Sequence, residues 1–139
     1  MASLNSEMRP KNFGFYGVAA VRVLIADDNP WIRKALRTLI EHHSNWQVCA
    51  EAEDGQQAVD KARECHPEVV VMDFRLPSMN GLDAGKAILA SSPKTAMLLI
   101  TFYGSEELAE AAAQAGFRAV LSKSDLMNLD HVIESAIAA

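Results

Sequence analysis

The sequence predicts an α/β fold: one domain in which a five-stranded parallel sheet carries helices on both faces. Short apolar runs rich in β-branched residues alternate with segments of helical period along the chain. Such alternation implies a parallel sheet, because each crossover helix must return the chain to the starting edge. The 139 residues suffice for a single core. We place the domain at residues 21–139 and interpret residues 1–20, which show no clean period, as a loose leader.

The first half of the domain begins with a predicted strand at residues 21–26, a compact apolar run suited to a buried position. Asn29 and Pro30 then open a helix, because Asn is a favoured N-cap and Pro is tolerated in the first turn. Its apolar face has helical spacing and comprises Ile32, Ala35, Leu36, Leu39 and Ile40. A strand at 46–52 and a helix at 54–65 follow, the helix facing inward with Ala58, Val59 and Ala62.

The strongest strand of the sequence is EVVVMDF at residues 68–74, which begins directly after Pro67. The segment RLPSMNG that follows has the composition of a loop and leads into a helix at 82–90. Pro93 ends that unit, and TAMLLITF at 95–102 is apolar enough to be another buried strand. The central part of the sheet is therefore expected from these two runs.

The last third contains an alanine-rich helix at residues 105–115, which ends at Gly116 because glycine accepts the left-handed backbone of a helix terminus. A fifth strand is predicted at 117–122. A final helix is predicted at 129–138. These elements complete five alternations of strand and helix.

Composition limits the classes of partner. The net charge is −5, and the leader carries Arg9 and Lys11 against Glu7, so the domain itself is more acidic than the whole chain. Such a surface repels phosphate backbones, and we expect no direct binding of nucleic acid. No apolar run approaches the roughly 20 residues of a membrane span. Cys49 and Cys65 lack metal-ligand spacing, fit a reducing cytosol, and are interpreted as buried or half-buried thiols.

Charged and polar residues stand where four of the predicted strands end. Asp27 and Asp28 follow the first strand, Asp73 ends the third, Thr101 the fourth, and Lys123 the fifth. Ligands of doubly wound sheets bind beyond the carboxyl ends of the strands, so these residues are expected to converge. Three clustered carboxylates favour a hard cation such as Mg²⁺. The Lys and Thr side chains can contact phosphoryl oxygens, and the set indicates phosphoryl transfer to a carboxylate.

Each of these residues has an ordinary alternative interpretation. The acidic pair suits a turn before an N-cap, Thr101 suits a strand, and Lys123 suits a solvated loop. Asp73 is harder to explain structurally, because an unpaired carboxylate after four apolar residues costs stability. It is the joint placement at the carboxyl ends that favours function.

With these residues established, the sequence resembles the receiver domain of bacterial two-component response regulators over residues 21–138. The resemblance is carried by the acidic pair, by MDFRLPSMNG around Asp73, by the Thr101 strand end, and by AGFRAVLSKSD around Lys123. The segment is most similar to receivers that precede a helix-turn-helix output domain. The resemblance implies a flavodoxin-like sheet with strand order 2-1-3-4-5.

The resemblance also implies a site and its cofactor. Asp73 would accept a phosphoryl group from the phosphohistidine of a sensor histidine kinase. Mg²⁺ would be held by Asp28, Asp73 and the backbone carbonyl of Arg75, with Asp27 acting through water. A cytoplasmic signalling domain for transcription regulation is implied, rather than an enzyme with a separate substrate. We expect the output domain or partner to lie outside this chain, and a homodimer could form through the face of helix four, strand five and helix five.

Three positions depart from the usual receiver pattern. Val120 stands where an aromatic residue is common, and Ser124 where Pro often follows the Lys. Phe102 stands where a small residue is common and could restrict access to the phosphoryl site. Val120 is short and β-branched and cannot make the usual aromatic swing. We therefore predict that the switch runs from Thr101 through Phe102 and Tyr103.

Other classes of protein fit less well. A flavin-binding electron carrier needs a phosphate-binding loop after the first strand, whereas DDNPW is acidic. An aspartyl-phosphate hydrolase usually carries a second Asp two residues after the nucleophile, where this chain has Arg75. The remaining alternative is a receiver-like interaction module that signals without phosphorylation, as Val120 and Ser124 would allow.

Overall fold

The computed structural model describes residues 20–138, so the leader up to Ala19 and the terminal Ala139 lie outside the described residues. A single five-stranded parallel sheet has the order β2-β1-β3-β4-β5, which confirms the predicted fold. The strands are β1 Val21–Ala26, β2 Trp46–Ala52, β3 Val69–Asp73, β4 Ala96–Thr101 and β5 Ala119–Ser122. The helices are α1 Pro30–Glu41, α2 Gly55–Cys65, α3 Gly81–Ser91, α4 Glu106–Gln114 and α5 Leu129–Ala138, and a 3₁₀ helix spans Lys123–Asn128.

Side chains of the sheet alternate between two cores, because successive residues of a strand point to opposite faces. One core lies between the sheet and helices α2, α3 and α4, and includes Leu24, Met72 and Leu99. The other lies against α1 and α5 and includes Ile40 and Ile133. The central strands β3 and β4 are buried along their whole length, which explains their continuous apolar sequence.

Side-chain caps set the first residue of four helices. Asn29, Asp54, Asn80 and Ser105 each accept a hydrogen bond from a backbone N–H of the first turn. These bonds satisfy donors that have no partner within the helix. Each cap lies in the loop that follows the carboxyl end of a strand. The caps therefore fix the loops that carry the polar residues of that edge.

The structure corrects three details of the predicted elements. Ala35, expected on the inner face of the first helix, is exposed, because the buried stripe of α1 is centred on Leu36 and Ile40. The fifth strand begins at Ala119 rather than at residue 117, since Phe117 N–H still bonds back to Ala112 in the turn after α4. The 3₁₀ helix after β5 was not predicted.

Helix α4 has a thinner contact with the sheet than its neighbours. Its buried residue is Ala112, with Leu108 half-buried beside it. Helix α2, of similar length, buries four residues. The two helices therefore differ in how many positions they bury, and α4 is the less firmly held of the two.

Among residues 20–138, no helix is both long and apolar enough to cross a membrane.

Candidate functional site

The acidic residues predicted at the strand ends meet at the carboxyl edge of the sheet. Asp27 and Asp28 follow β1, and Asp73 is the last residue of the neighbouring β3. One carboxylate oxygen from each lies within 4.8 Å of the others. Asp27 and Asp73 are buried, whereas Asp28 is exposed. The group therefore has a buried base and a rim open to solvent, and we call these three residues the acidic cluster.

Lys123 supplies the positive charge at the base of the acidic cluster. Its ammonium nitrogen lies 2.6 Å from Asp27 Oδ2 and 3.1 Å from Asp73 Oδ2. The Lys123 side chain is only 7% exposed, so solvent screens these ion pairs weakly. One ammonium thus faces two buried carboxylates, and the base of the site retains excess negative charge.

This imbalance is reflected in the acid strength of Asp73. Burial raises the pKa of Asp73 most, and repulsion from the Asp27 carboxylate raises it further. Lys123 and the backbone N–H of Arg75 act in the opposite direction without cancelling these effects. A carboxylate that burial and a like charge disfavour would gain from a nearby cation. Perturbed groups of this kind are concentrated at functional sites.

Backbone groups hold the two buried carboxylates in place. Asp27 Oδ1 accepts a hydrogen bond of 2.8 Å from the N–H of Asn29. Asp73 Oδ1 accepts a weaker one of 3.3 Å from the N–H of Arg75. The loop after Asp73 returns at once, since the Gly81 N–H donates to the Phe74 carbonyl at 2.8 Å. Both aspartates are thereby oriented by turns that begin at their own strand ends.

Gly81 permits a close contact between α3 and the end of β3. A Cβ atom at this position would lie 2.2 Å from the carbonyl oxygen of Asp73, which is impossible without movement. Any other residue would push the helix away from the strand. The absence of a side chain at position 81 therefore helps to define the position of Asp73.

The polar group of β4 lies beside the acidic cluster. Thr101 is buried and sits in register with Ser122 of β5. Its Oγ1 accepts a hydrogen bond of 3.1 Å from the N–H of Tyr103, and the hydroxyl proton remains available for donation. The hydroxyl thus connects the strand end to the β4–α4 loop.

Two exposed aromatic residues of that loop contact cationic side chains of the site. The Lys123 ammonium lies 5.3 Å from the centre of the Phe102 ring, and the Arg75 guanidinium carbon lies 5.2 Å from that of Tyr103. Both distances are within the range of cation–π attraction. Phe102 and Tyr103 are 54% and 72% exposed, and the centres of their rings are 6.5 Å apart. The β4–α4 loop is therefore linked to the loops after β3 and β5.

The other two departures from the receiver pattern have different surroundings. Val120 is half-buried and packs against the core beneath α4. The Ser124 N–H donates to Ser122 Oγ at 3.1 Å, a bond that proline could not make. This bond caps the 3₁₀ helix, which begins at Lys123.

The chemistry of the donors fits a magnesium ion. All three groups of the acidic cluster are carboxylate oxygens, the ligand type preferred by hard cations. Asp27 Oδ2 is fully buried and lies 2.6 Å from the Lys123 ammonium. That one ammonium also faces Asp73, so the acidic cluster keeps a net negative charge that a cation would neutralise.

Sequence reasoning did not find several contacts of this site. It assigned Lys123 to phosphoryl oxygens and Asp27 to metal-bound water, but did not predict that the two side chains form an ion pair with each other. It also missed both cation–π contacts. The cations and the aromatic rings lie in loops that are neighbours in the fold but distant in sequence. The spacing of these residues along the chain therefore gave no signal of the contacts.

Comparison with known proteins identifies what the fold and site are similar to. The sequence profile of the response regulator receiver domain matches residues 23–134. The transcriptional regulatory protein LnrK of Bacillus subtilis is 31% identical over 117 residues, which are 84% of this chain and 52% of that protein. A protein-glutamate methylesterase/protein-glutamine glutaminase of Pyrococcus abyssi is 37% identical over 95 residues, 68% of this chain and 25% of that protein.

A solved structure resembles the fold closely. A two-component response regulator of the LuxR family from Aurantimonas sp. SI85-9A1 has a TM-score of 0.82 and 33% identity. The match covers 86% of each chain. This chain thus spans nearly all of that structure, but only a quarter to about half of the curated relatives above. The comparisons contain no support for an interaction module that signals without phosphorylation.

Proposed function

Since this chain belongs to the response regulator receiver domain family of two-component systems, we propose that it accepts a phosphoryl group on Asp73 from a sensor histidine kinase. The observation that carries the proposal is the buried Asp73 carboxylate at the end of the central strand, 3.1 Å from the Lys123 ammonium. An oxygen of Asp73 bonds to phosphorus as the bond from phosphorus to the histidine nitrogen breaks. The electron pair leaves with the imidazole.

Mg²⁺ is the proposed cofactor. Asp28, Asp73 and the backbone carbonyl of Arg75 would hold the ion, and Asp27 would act through water. When bound, the ion neutralises charge on the phosphoryl oxygens. The exposed position of Asp28 supports this assignment, because Mg²⁺ usually retains several waters.

Lys123 and Thr101 are the proposed contacts of the phosphoryl group. Lys123 already compensates the charges of Asp27 and Asp73, and an anion on Asp73 would give its ammonium a further partner. Thr101 has a free hydroxyl proton to donate to a phosphoryl oxygen. The side chains of Lys123 and Thr101 are both largely buried, and hydrogen bonds in such surroundings are stronger than in water.

We propose that the signal leaves through Thr101, Phe102 and Tyr103. A Thr101 hydroxyl that turns toward a phosphoryl group changes its bond with the Tyr103 N–H. A Lys123 ammonium drawn to the same group changes its contact with Phe102. Helix α4, which begins at Glu106 and buries little, is the nearest element that could move. Val120 packs beneath that helix, at the position where other receivers carry an aromatic switch residue.

The remaining proposals concern the whole system. We propose a cytoplasmic signalling domain without turnover of a separate substrate, although some relatives are methylesterases in their full length. The LnrK-like relatives favour transcription regulation as the output. The output domain or partner, or a second copy of this chain, would dock on the face formed by α4, β5 and α5. No direct contact with nucleic acid or membrane is proposed for this chain.

Incubation with acetyl phosphate and Mg²⁺ tests the acceptor. The protein should gain one phosphoryl group that is stable in acid and labile in base, and chelation of Mg²⁺ should prevent it. Asp73→Asn should abolish the modification while the circular dichroism spectrum stays unchanged. The matched control is Asp83→Asn, an aspartate of α3 outside the acidic cluster, which should be phosphorylated as the parent protein is. Base-labile phosphate on the Asp73 variant would contradict the assignment.

Hydrogen exchange with and without beryllofluoride tests the route. Protection changes should concentrate at residues 102–110. Changes confined to residues 75–81, together with partner binding that survives Tyr103→Ala, would contradict it.

A further inference from the structure

The two cysteines of the chain, which the proposed function does not use, lie in contact with each other. Cys49 is on the edge strand β2, and Cys65 is the last residue of α2. Their sulfur atoms are 2.8 Å apart, and both residues are half-buried rather than sealed in the core. They are the only cysteines of the sequence. Two thiols from different elements are thus held in contact at half-buried positions.

A bulge in the sheet places Cys49 in this position. Val23 of β1 pairs with Val48, but the next residue, Leu24, pairs with Ala50. Cys49 is the extra residue, left without a partner on β1. Bulges of this kind redirect a side chain from the regular alternation of the strand. Val48 packs into the core against α1, Ala50 into the core against α2, and Cys49 between them contacts the end of α2.

The surroundings of the pair favour a thiolate on Cys65. The hydrogen bond from the Cys49 thiol lowers the pKa of Cys65 to about 7, although burial acts against it. The charge of the Arg22 guanidinium lowers it further, and this side chain also donates a hydrogen bond to the Cys65 carbonyl. The same hydrogen bond and burial raise the pKa of Cys49, which keeps its proton. One sulfur is thus a nucleophile near neutral pH, and the other is a resolving thiol.

We propose that Cys49 and Cys65 form a peroxide-responsive dithiol, which closes reversibly to an intramolecular disulfide. The proposal rests on the contact between the sulfurs of two half-buried cysteines and on the bulge that creates it. Neither residue belongs to the acidic cluster, so the proposal does not depend on phosphorylation. The disulfide would tie the edge strand β2 to the end of α2 and close the chain from residue 49 to residue 65.

The reaction balances with hydrogen peroxide as the oxidant. The Cys65 thiolate attacks one oxygen, the O–O bond breaks, and hydroxide leaves, so that Cys65 becomes a sulfenic acid. The Cys49 sulfur then attacks the Cys65 sulfur, the S–O bond breaks, and water leaves with the Cys49 proton. The hydroxide takes up the proton that Cys65 released when it ionised, so the two thiols together lose two electrons and one peroxide is reduced to two waters. A dithiol reductant reverses the process by thiol–disulfide exchange.

Mass spectrometry of the full chain after treatment with dilute hydrogen peroxide tests the proposal. The intact mass should fall by two hydrogen atoms, digestion without reductant should yield a peptide joined through Cys49 and Cys65, and dithiothreitol should restore the original mass. A gel without reductant should show only monomer. A wild-type protein that gains oxygen atoms without losing hydrogen, or that cross-links only between chains, would overturn the proposal.

Single substitutions assign the roles of the two sulfurs. Cys49→Ser should accumulate a sulfenic acid on Cys65 that dimedone traps. Cys65→Ser should react with peroxide more slowly at neutral pH, because burial still raises the pKa of the remaining Cys49 thiol. Equal rates of reaction with peroxide in the two variants would mean that the two thiols are equally reactive. That result would overturn the assignment of Cys65 as the attacking thiol. The parent protein, which carries no substitution, remains the test of disulfide formation itself.

Discussion

Two groups of charged residues in this protein differ in how completely their charges are balanced. At the carboxyl edge of the sheet, Lys123 is the one cation that residues 20–138 place within ion-pair distance of the buried carboxylates of Asp27 and Asp73. Between α1 and β2, Arg33 and Arg37 both bind Glu51, at 3.1 and 2.7 Å. Arg37 also pairs with Glu41, and we call these four residues the α1–β2 network. The first group has an excess of negative charge, and the second has as many cations as carboxylates.

The acid strengths of the two groups differ in the same way. Burial and the neighbouring carboxylate raise the pKa of Asp73. Burial alone would also raise the pKa of Glu51, but the hydrogen bonds and charges of Arg37 and Arg33 outweigh it and lower the pKa. The α1–β2 network is therefore satisfied by its own members. The acidic cluster is left to be satisfied by a cation or a modification, which is the mark of a binding site.

Removal of the lysine should give the largest effect. Lys123→Met leaves two buried carboxylates without a counter-charge, and we expect a loss of about 3 kcal/mol in the free energy of unfolding at pH 7 without Mg²⁺. The matched change Arg37→Met in the half-exposed α1–β2 network should cost less than about 1 kcal/mol. Urea denaturation measures both. Equal losses would show that burial does not distinguish the two groups.

Magnesium should stabilise the protein through the acidic cluster and not through the α1–β2 network. At ten times the dissociation constant, a ligand of the folded state adds about 1.4 kcal/mol to the free energy of unfolding. Thermal denaturation with and without millimolar Mg²⁺ measures the shift, which Asp28→Asn should reduce and Glu41→Gln should leave unchanged. Trp31, 76% exposed beside this edge, should report binding by fluorescence, whereas Trp46 is buried and stacked on His43. An undiminished shift in the Asp28 variant would argue against the site.

Neutralisation of the acceptor should stabilise the fold. Asp73→Asn removes a carboxylate that burial and Asp27 disfavour, and we expect a gain of roughly 1 kcal/mol at pH 7. Because the pKa of Asp73 is raised in the folded state, its ionised carboxylate lowers the free energy of unfolding of the wild-type protein at higher pH. This cost disappears once the carboxyl is protonated. The gain should therefore shrink as the pH falls toward about 4. Denaturation at the two pH values checks it; a gain that grows on acidification would reverse the inferred sign.

The smallest effect is expected from the α1–β2 network. Glu51→Gln should lower the free energy of unfolding by about 0.5 kcal/mol at pH 7, since partly exposed ion pairs contribute little. The folded pKa of Glu51 is lowered, so its contribution is present above about 4.3 and is lost as the pH falls through the folded value. Phosphorylation by acetyl phosphate should be unaffected. A loss of phosphorylation would mean that the two groups are coupled.

Much of the fold could be predicted because the relevant signals are local. The bounds of β1, β2 and α5 agree with the predictions, which rest on the local pattern of apolar residues. The convergence of Asp27, Asp73 and Lys123 followed from topology, because parallel strands end at one edge. No knowledge of side-chain conformation was needed for these conclusions.

What the sequence did not reveal depends on register and on side-chain packing. The bulge at Cys49 shifts the pairing of β1 and β2 by one residue, and no residue type at that position announces it. The contact with Cys65 follows from that shift, so the two thiols were interpreted as unremarkable. The 3₁₀ helix that begins at Lys123 is capped by the hydrogen bond from the Ser124 N–H to Ser122 Oγ. The sequence SKSD at this point suits a turn equally well.

The glycine at position 81 has a mechanical consequence. Helix α3 rests directly on the end of β3, with the Gly81 N–H bonded to Phe74 and no side chain between the helix and Asp73. A displacement of the Asp73 backbone cannot be absorbed by a change of rotamer and must move α3 as a rigid body. Helix α4, which buries only Ala112, can shift more easily. The carboxyl edge thus has a stiff support on one side of the acceptor and a compliant one on the other.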